Sequence, residues 1–190
     1  MAGEARRTRD EVTHSVFGMG SPRLVTERLE LTPLPAPAAA ALPDDRESAS
    51  HHLGARLDAE WPGPDLLGIL PRQAAASDEA ERFGIWVIME HESGSVVGDI
   101  GFHGPPDDTG TVEVGYAVVP GRRRRGYATE AAGALVEWAL SQPSVGGIIA
   151  TCDAQNAPSI RTLERAGFRR TGEADGTIRW RYGSRPETTA

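Results

Sequence analysis

The chain has 190 residues, of which 39% are hydrophobic and 25% are charged, and its formal net charge is −7. This length suits a single domain, and the acidic balance disfavours general binding to nucleic acid or to an anionic membrane, because both normally require a basic face. Cys152 is the sole cysteine, which excludes an intramolecular disulfide and a zinc site built from cysteines. No apolar stretch reaches the roughly 18 residues of a membrane span, so we expect a soluble cytoplasmic protein. With a single cysteine and no HExxH motif, we also expect that it contains no metal.

Composition divides the chain into three segments. Residues 1–22 are polar, contain scattered glycines and lack periodicity, which predicts a flexible N-terminal leader. Residues 23–183 carry the periodic hydrophobic patterns and are predicted to form one domain. Residues 184–190 are predicted to be a flexible C-terminal tail.

Before residue 84 the secondary-structure signals are weak. Leucines predict a first strand at Arg28–Leu34, and prolines end it. Residues 35–45 are rich in alanine and proline and are ambiguous. Short helices are predicted from Arg46 to Leu57 and from about Pro71 to Arg82.

From residue 85 onward the pattern is clearer. Two β-rich runs, 85–89 and 96–102, are joined by a segment in which Gly94 can take a positive φ, as a hairpin requires. A third strand is predicted at Thr111–Val119, because apolar residues alternate there with period two. This alternation places Glu113 on the opposite face of the strand from the valines.

The hydrophobic period then changes to that of a helix. Apolar residues between Ala128 and Leu140 recur at i, i+3, i+4 and i+7 and form one continuous face. A buried strand is predicted at residues 148–152. Asn156 is suited to cap a short helix that Gly167 ends.

Two closing strands, at about 168–173 and 177–182, complete the predicted elements. Their order along the chain is β, helices, βββ, α, β, α, ββ. Antiparallel strands followed by a βαβ unit predict an α/β (α+β) fold with a mixed sheet flanked by helices.

The segment RRRRGYA at residues 122–128 lies between a valine-rich strand and the predicted long helix. The first amides of a helix have no intrahelical partner and lie at the positive end of its dipole, so phosphate is a natural ligand there. Gly126 lets the backbone approach such a group closely. We expect the backbone amides of Arg124 to Thr129 to bind a pyrophosphate. Four adjacent arginines are also typical of a solvated charge run, so their side chains need not all contact a ligand.

This turn matches neither a P-loop, which needs Gly-Lys-Ser/Thr, nor a dinucleotide fingerprint, which needs three spaced glycines after the first strand. It resembles the Q/R-x-x-G-x-G/A motif of the GNAT N-acetyltransferase superfamily through Arg123, Gly126 and Ala128. The branch that contains the ribosomal-protein N-terminal acetyltransferases offers three further matches in chain order: an opening strand at Thr26–Leu29, an N-x-x-S at Asn156–Ser159, and a helix-to-strand stop at Ala166–Phe168. The resemblance covers nearly the whole predicted domain.

The resemblance implies a GNAT fold, in which a mixed, mostly antiparallel sheet of about six to seven strands is splayed at its central parallel pair. It implies that acetyl-CoA is the acetyl donor, and that its pantetheine arm lies in the gap between strands 111–119 and 148–152. The candidate cofactor-binding residues are Ala117, Val118, Arg123, Arg124, Arg125, Gly126, Tyr127, Ala128, Thr129 and Asn156.

Acetyl transfer to an amine requires that the amine lose a proton, that the thioester carbonyl be polarised, and that the leaving thiolate gain a proton. Ser159, the serine of the N-x-x-S match, is the candidate general acid, although a plain capping role is the alternative. Glu113 is the candidate base. Asp99, on the neighbouring strand, is an alternative base, and an ordinary solvent-facing glutamate is the simpler interpretation of Glu113.

The expected function is transfer of an acetyl group from acetyl-CoA to a primary amine, which is either a protein N-terminus or a small molecule. A non-catalytic acyl-CoA-binding or sensing module of the same fold is the alternative, and RNA binding through the arginines is a third hypothesis. Residues 36–82 are expected to build much of the acceptor pocket, but they do not identify the acceptor. The sequence is compatible with a monomer and with a homodimer.

Overall fold

The computed structural model describes residues 13–14 and 21–183. Ten strands lie in this part of the chain, and seven of them have five residues or more, in agreement with the six to seven predicted. The strands are β1 Thr13–His14, β2 Leu24–Val25, β3 Leu29–Pro33, β4 Arg56–Leu57, β5 Ile85–Glu90, β6 Ser95–Phe102, β7 Thr111–Val118, β8 Gly147–Asp153, β9 Phe168–Ala174 and β10 Thr177–Tyr182. Strand β1 lies inside the predicted leader. The rest of that leader up to residue 20, and the predicted tail, fall outside the described residues.

Seven α-helices connect these strands in the described residues. They are α1 Ala36–Ala41, α2 Arg46–Leu53, α3 Pro64–Leu67, α4 Leu70–Ala74, α5 Asp78–Arg82, α6 Tyr127–Leu140 and α7 Ala157–Arg165, and a 3₁₀ turn at Pro120–Arg122 precedes α6. Among the described helices, none combines the length and the apolar composition that crossing a membrane demands.

The two helices predicted in the first half of the chain differ from the observed ones. Helix α2 stops before the predicted end at Leu57, because Gly54 takes a left-handed conformation with φ 63° and the next residues pair with β6 as β4. The single helix predicted up to Arg82 is two helices, α4 and α5. The oxygen of the Ser77 side chain accepts a hydrogen bond from the Ala80 amide at 3.4 Å, which starts α5 separately.

One sheet contains all ten strands, in the order β1-β2-β3-β5-β6-β7-β8-β10-β9, with β4 beside β6. The central pair, β7 and β8, is parallel, and its pairing covers only Thr111 with Gly147, Val112 with Ile148 and Glu113 with Ile149. Beyond Glu113 the two strands separate. The predicted splay at the parallel pair is therefore confirmed, and it leaves a gap between the second halves of β7 and β8.

The two faces of the sheet have different roles. On the face covered by α6, the Trp138 ring packs against Phe83, Trp86 and Phe102 with ring centroids 4.9–6.2 Å apart. Residues paired across neighbouring strands share a face, so the pairing of Asp99 with Ala117 places both on the other face. We call these the α6 face and the opposite face.

Gly101 on β6 is a sensitive packing position. A Cβ added there would lie 2.2 Å from the Gly84 carbonyl oxygen and 3.0 Å from the Ile85 Cα, both of them backbone atoms. We expect Gly101→Ala to lower the free energy of unfolding by about 1–3 kcal/mol, since the strands must move apart. Urea unfolding followed by circular dichroism measures this.

The matched control is Gly133→Ala in α6, where an added Cβ meets nothing within 4 Å. Alanine is favoured over glycine inside a helix by about 1 kcal/mol, so this variant should be as stable as the parent protein or more stable. A loss at position 133 equal to that at 101 would show that close backbone packing is not the cause.

Candidate functional site

The segment from the end of β7 to the start of α6 forms a tight turn with two left-handed residues. Arg124 has φ 63° and Gly126 has φ 83°. Glycine takes this conformation at little cost, whereas a positive φ is uncommon for an arginine. Gly126 therefore permits the abrupt change of direction from which α6 begins at Tyr127.

The turn presents a row of free backbone amides. Within the described residues, no group accepts a hydrogen bond from the amides of Arg124 through Thr129, and the first bond into the helix runs from the Glu130 amide to the Gly126 carbonyl at 3.0 Å. These amides lie at the positive end of the dipole of a 14-residue helix. Such an arrangement can bind a pyrophosphate or a similar anion.

Arg28 holds the turn against the start of the sheet. Its Nη1 donates to the Arg125 carbonyl at 2.7 Å and its Nε donates to Glu130 Oε2 at 2.8 Å, while its guanidinium carbon lies 5.0 Å from the centroid of the Tyr127 ring. The Thr26 hydroxyl donates to Glu130 Oε1 at 2.6 Å. Burial alone raises the pKa of Glu130, but these hydrogen bonds and the Arg28 charge bring the pKa below its usual 4.5.

Two of the four arginines serve a buried carboxylate. Glu90 is 1% exposed; it accepts hydrogen bonds from the Tyr127 hydroxyl and from Arg122 Nη1, the latter at 2.7 Å, and Arg125 Nη1 lies 3.8 Å away. Burial raises the pKa of Glu90, but the hydrogen bonds and both guanidinium charges lower the pKa below 4.5. The Arg122 and Arg125 charges are thus largely structural.

The other two arginines differ from each other. Arg123 Nε donates to the Val118 carbonyl at 2.8 Å, which fastens the turn to the end of β7. Arg124 is exposed. A uniform solvated charge run, one of the interpretations open from the sequence, does not describe this segment.

Ladder geometry shows which backbone groups face the gap between β7 and β8. The bonds from His103 N to Glu113 O, at 2.9 Å, and from Val119 N to Val97 O, at 3.0 Å, turn alternate residues of β7 toward β6. Ala117 belongs to that set, so its backbone groups face β6. Those of Tyr116 and Val118 face the gap.

Helix α7 begins at the same gap. The Asn156 side chain accepts a hydrogen bond from the Ser159 amide at 3.1 Å, which confirms the predicted N-cap. The Tyr116 hydroxyl donates to the Ser159 carbonyl at 3.2 Å and so ties α7 to β7 on the α6 face. Burial raises the pKa of Tyr116. This hydrogen bond was not predictable from the sequence, because the period-two pattern marked Tyr116 only as an apolar strand residue.

Glu113 lies on the opposite face, as predicted from the alternation. Its Oε1 accepts from the Thr151 hydroxyl at 2.8 Å, and its Oε2 lies 3.5 Å from His103 Nδ1. The imidazole covers Gly115, where an added Cβ would lie 3.1 Å from His103 Nε2. One carboxylate oxygen of Glu113 therefore has a hydrogen-bond partner, and the other lies near an exposed imidazole.

Asp99 lies on the same face and directly opposite Ala117. Its Oδ2 accepts a hydrogen bond from Trp61 Nε1 at 2.9 Å. Burial raises the pKa of Asp99 from 3.8 to about 6; the Trp61 hydrogen bond lowers it in part, and the charge of Asp65 raises it further.

The predicted site residues thus form two groups rather than one cluster. The turn, Asn156 and Ser159 meet around the α6-face side of the gap, while Glu113 and Asp99 lie on the opposite face. The gap between β7 and β8 lies between these two groups of residues. Within the described residues, no cluster of three or more His, Cys, Asp or Glu side chains is arranged to hold a metal ion.

Comparison with known proteins gives a family and a fold. Residues 28–169 match the family described as the acetyltransferase (GNAT) domain. An uncharacterized N-acetyltransferase of Bacillus subtilis (strain 168), YjdG, is 36% identical over 148 residues, which cover 76% of this chain and 88% of that protein.

Two solved structures with lower identity share the fold. The ribosomal-protein-S5-alanine acetyltransferase from Vibrio fischeri superposes with a TM-score of 0.60 at 15% identity, covering 84% of this chain and 94% of that one. The microcin C7 self immunity acetyltransferase MccE, solved in complex with acetyl-CoA and AMP, superposes with a TM-score of 0.58 at 17% identity, covering 82% and 92%. These matches confirm the predicted fold class.

The hydrogen bonds that Thr26 and Arg28 donate to Glu130 can be tested by measuring the free energy of unfolding. A carboxylate whose folded-state pKa is lowered stabilises the fold above its unfolded pKa, and this contribution disappears as the pH falls through the folded value. We expect Glu130→Gln to lower the free energy of unfolding by about 1–3 kcal/mol at pH 7, because the hydrogen bonds to a charged acceptor are lost. The difference should shrink as the pH falls below 4.5.

Thermal and urea unfolding at pH 7 and at pH 4 measure both effects. Glu137→Gln is the control, because Glu137 is exposed on the same helix. A Glu130→Gln effect that is independent of pH would contradict the role given to the ionised carboxylate.

Proposed function

This chain belongs to the GNAT acetyltransferase family, and we propose that it transfers an acetyl group from acetyl-CoA to a primary amine. One observation carries the proposal: the row of free amides from Arg124 to Thr129 opens at the end of a strand pair that has separated. A pyrophosphate and an extended arm are the two chemical features of coenzyme A that such an arrangement suits.

The donor is proposed to bind along the turn and then along the gap. The amides would hold the pyrophosphate, and exposed Arg124 is the guanidinium best able to reach a phosphate, since Arg122 and Arg125 face Glu90. The Tyr116 backbone groups and the Val118 amide are available to the pantetheine arm in the manner of a neighbouring strand, while the Val118 carbonyl accepts from Arg123 Nε. The Asn156 amide nitrogen is available as a further donor, because the cap uses only its oxygen.

The reaction itself needs few protein groups. The amine nitrogen attacks the thioester carbonyl carbon, the C–N bond forms, the C–S bond breaks, and the sulfur leaves with a proton while the amine gives one up. Half-buried Ser159, in the first turn of α7, is the proposed proton donor to sulfur. A carboxylate on the opposite face is the proposed proton acceptor, and Glu113 is the candidate that the sequence supplies.

Coenzyme A binding tests the role of the turn. We expect Gly126→Val to weaken coenzyme A binding at least tenfold, because a β-branched residue is strained at φ 83° and an added Cβ lies 3.3 Å from Arg28 Nη2. Titration calorimetry gives the dissociation constant. Gly94→Val is the control, since Gly94 has φ 60° in the β5–β6 hairpin with open space around it. Equal losses at both positions would contradict a specific role for the turn.

Thiol release with a panel of primary amines tests the chemistry. We expect Ser159→Ala to lower kcat about 100-fold with little change in the KM for acetyl-CoA, because loss of a general acid affects the transition state more than binding. Ser159→Thr keeps a hydroxyl and should retain more activity. If coenzyme A binds but no amine supports thiol release, the chain is a non-catalytic acyl-CoA-binding module instead.

A further inference from the structure

We propose that Asp99, rather than Glu113, is the carboxylate that binds the ammonium group of the acceptor and takes its proton. This inference rests on the proposed function and assigns its acceptor side. Four features of the opposite face support it: the position of Asp99, its free oxygen, its surroundings and its fixed orientation.

Position along the strands favours Asp99. The pairing of β7 with β8 ends at Glu113, so at that residue the sheet is still closed. Asp99 is opposite Ala117, in the part of β7 that borders the gap. Opposed residues in an antiparallel pair have Cβ atoms about 5 Å apart, whereas Glu113 and Ala117 are separated by about 13 Å of strand. An acyl group in the gap would therefore be much closer to Asp99.

The hydrogen-bond partners also favour Asp99. Glu113 Oε1 accepts a hydrogen bond from the Thr151 hydroxyl, and Glu113 Oε2 lies 3.5 Å from Nδ1 of the exposed His103. Asp99 uses only Oδ2, in its bond from Trp61, and no described side chain donates to Oδ1. One oxygen of Asp99 is thus available to an incoming N–H group, while the Trp61 bond fixes the orientation of the carboxylate.

The residues around Asp99 favour the binding of a cation. The flanking residues on the neighbouring strands are Val87 on β5 and Ala117 on β7, neither of which titrates. Trp61 is neutral, and Asp65 on α3 adds a second negative charge. Among the described residues, no cationic side chain forms an ion pair with Asp99. A partly buried carboxylate that has a carboxylate neighbour and lacks such a cation is stabilised by an ammonium ligand. These surroundings also raise the pKa of Asp99 to about 6, where a general base works efficiently near neutral pH.

Ionised Asp99 accepts a hydrogen bond from the acceptor ammonium and then takes one of its protons. The neutral amine forms the C–N bond with the thioester carbon, and the C–S bond breaks. Ser159 gives its proton to the leaving thiolate and regains one from the nitrogen, which loses its second proton and becomes the amide nitrogen. Asp99 finally releases its proton to water, so the net products are the amide, coenzyme A and one proton.

The pH dependence of kcat/KM for the amine distinguishes the two carboxylates. In the parent protein kcat/KM should rise with pH through an inflection near 6, as Asp99 ionises. Asp99→Asn should lose this inflection and lower kcat/KM about 100-fold, while Glu113→Gln should keep it whatever its rate. Asp65→Asn should move the inflection to lower pH, because one of the causes that raise the pKa of Asp99 is removed.

Coenzyme A affinity and the unfolding temperature show whether Asp99→Asn affects only the reaction. Coenzyme A affinity should be unchanged in Asp99→Asn, and its unfolding temperature at pH 7.5 should not fall, because a carboxylate with a raised pKa is replaced by a neutral group of the same shape. An inflection that survives Asp99→Asn but disappears in Glu113→Gln overturns the assignment and leaves the acetyltransferase reaction in place. Absence of turnover in the parent protein with every amine overturns the proposed function, and this assignment with it.

Discussion

The pairing of β7 with β8 ends at Glu113 and Ile149, and the candidate site depends on that limit. Each strand is held on its far side by a full antiparallel ladder, β7 by β6 and β8 by β10. The gap can therefore persist without collapse of the sheet. Backbone polar groups normally require a partner, and the Tyr116 backbone groups and the Val118 amide, which face the gap, can find one in an extended ligand. The Val118 carbonyl already accepts a hydrogen bond from Arg123 Nε. Separation of the strands thus creates a binding surface from ordinary sheet geometry.

Two glutamates offset part of the fixed positive charge around the turn. Glu90 faces the guanidinium groups of Arg122 and Arg125, and Glu130 pairs with Arg28. Arginines crowded at the positive end of a helix would otherwise repel one another and oppose helix formation. The carboxylates remove this cost and set the shape of the turn. The row of amides and the exposed Arg124 remain available to an anion. Such a site would bind an anion more through the positions of its amides than through side-chain charge.

Sequence patterns predicted the features that depend on neighbouring residues. Gly126 and the 3.6-residue period located the turn and α6, and Asn156 located the start of α7, because caps and periodicity are local. The contacts of Glu130 and Glu90 that hold the turn in place could not be predicted in this way. Thr26 and Glu130 are 104 residues apart in the chain, and Glu90 and Arg122 are 32 apart. Such pairs form only when the fold brings the two residues together. In the sequence, each of these glutamates is therefore only a charged residue whose partner cannot be identified.

The cofactor side and the proposed acceptor side are joined by one short segment. Glu60 accepts a hydrogen bond from the Gly121 amide at 3.1 Å, and Asp58 lies 3.9 Å from Arg122 Nε, so the segment contacts the turn. Next to these residues, Trp61 holds Asp99 from the other side. Residues 58–61 therefore contact the turn through Asp58 and Glu60 and the Asp99 carboxylate through Trp61, so their position is constrained from both sides.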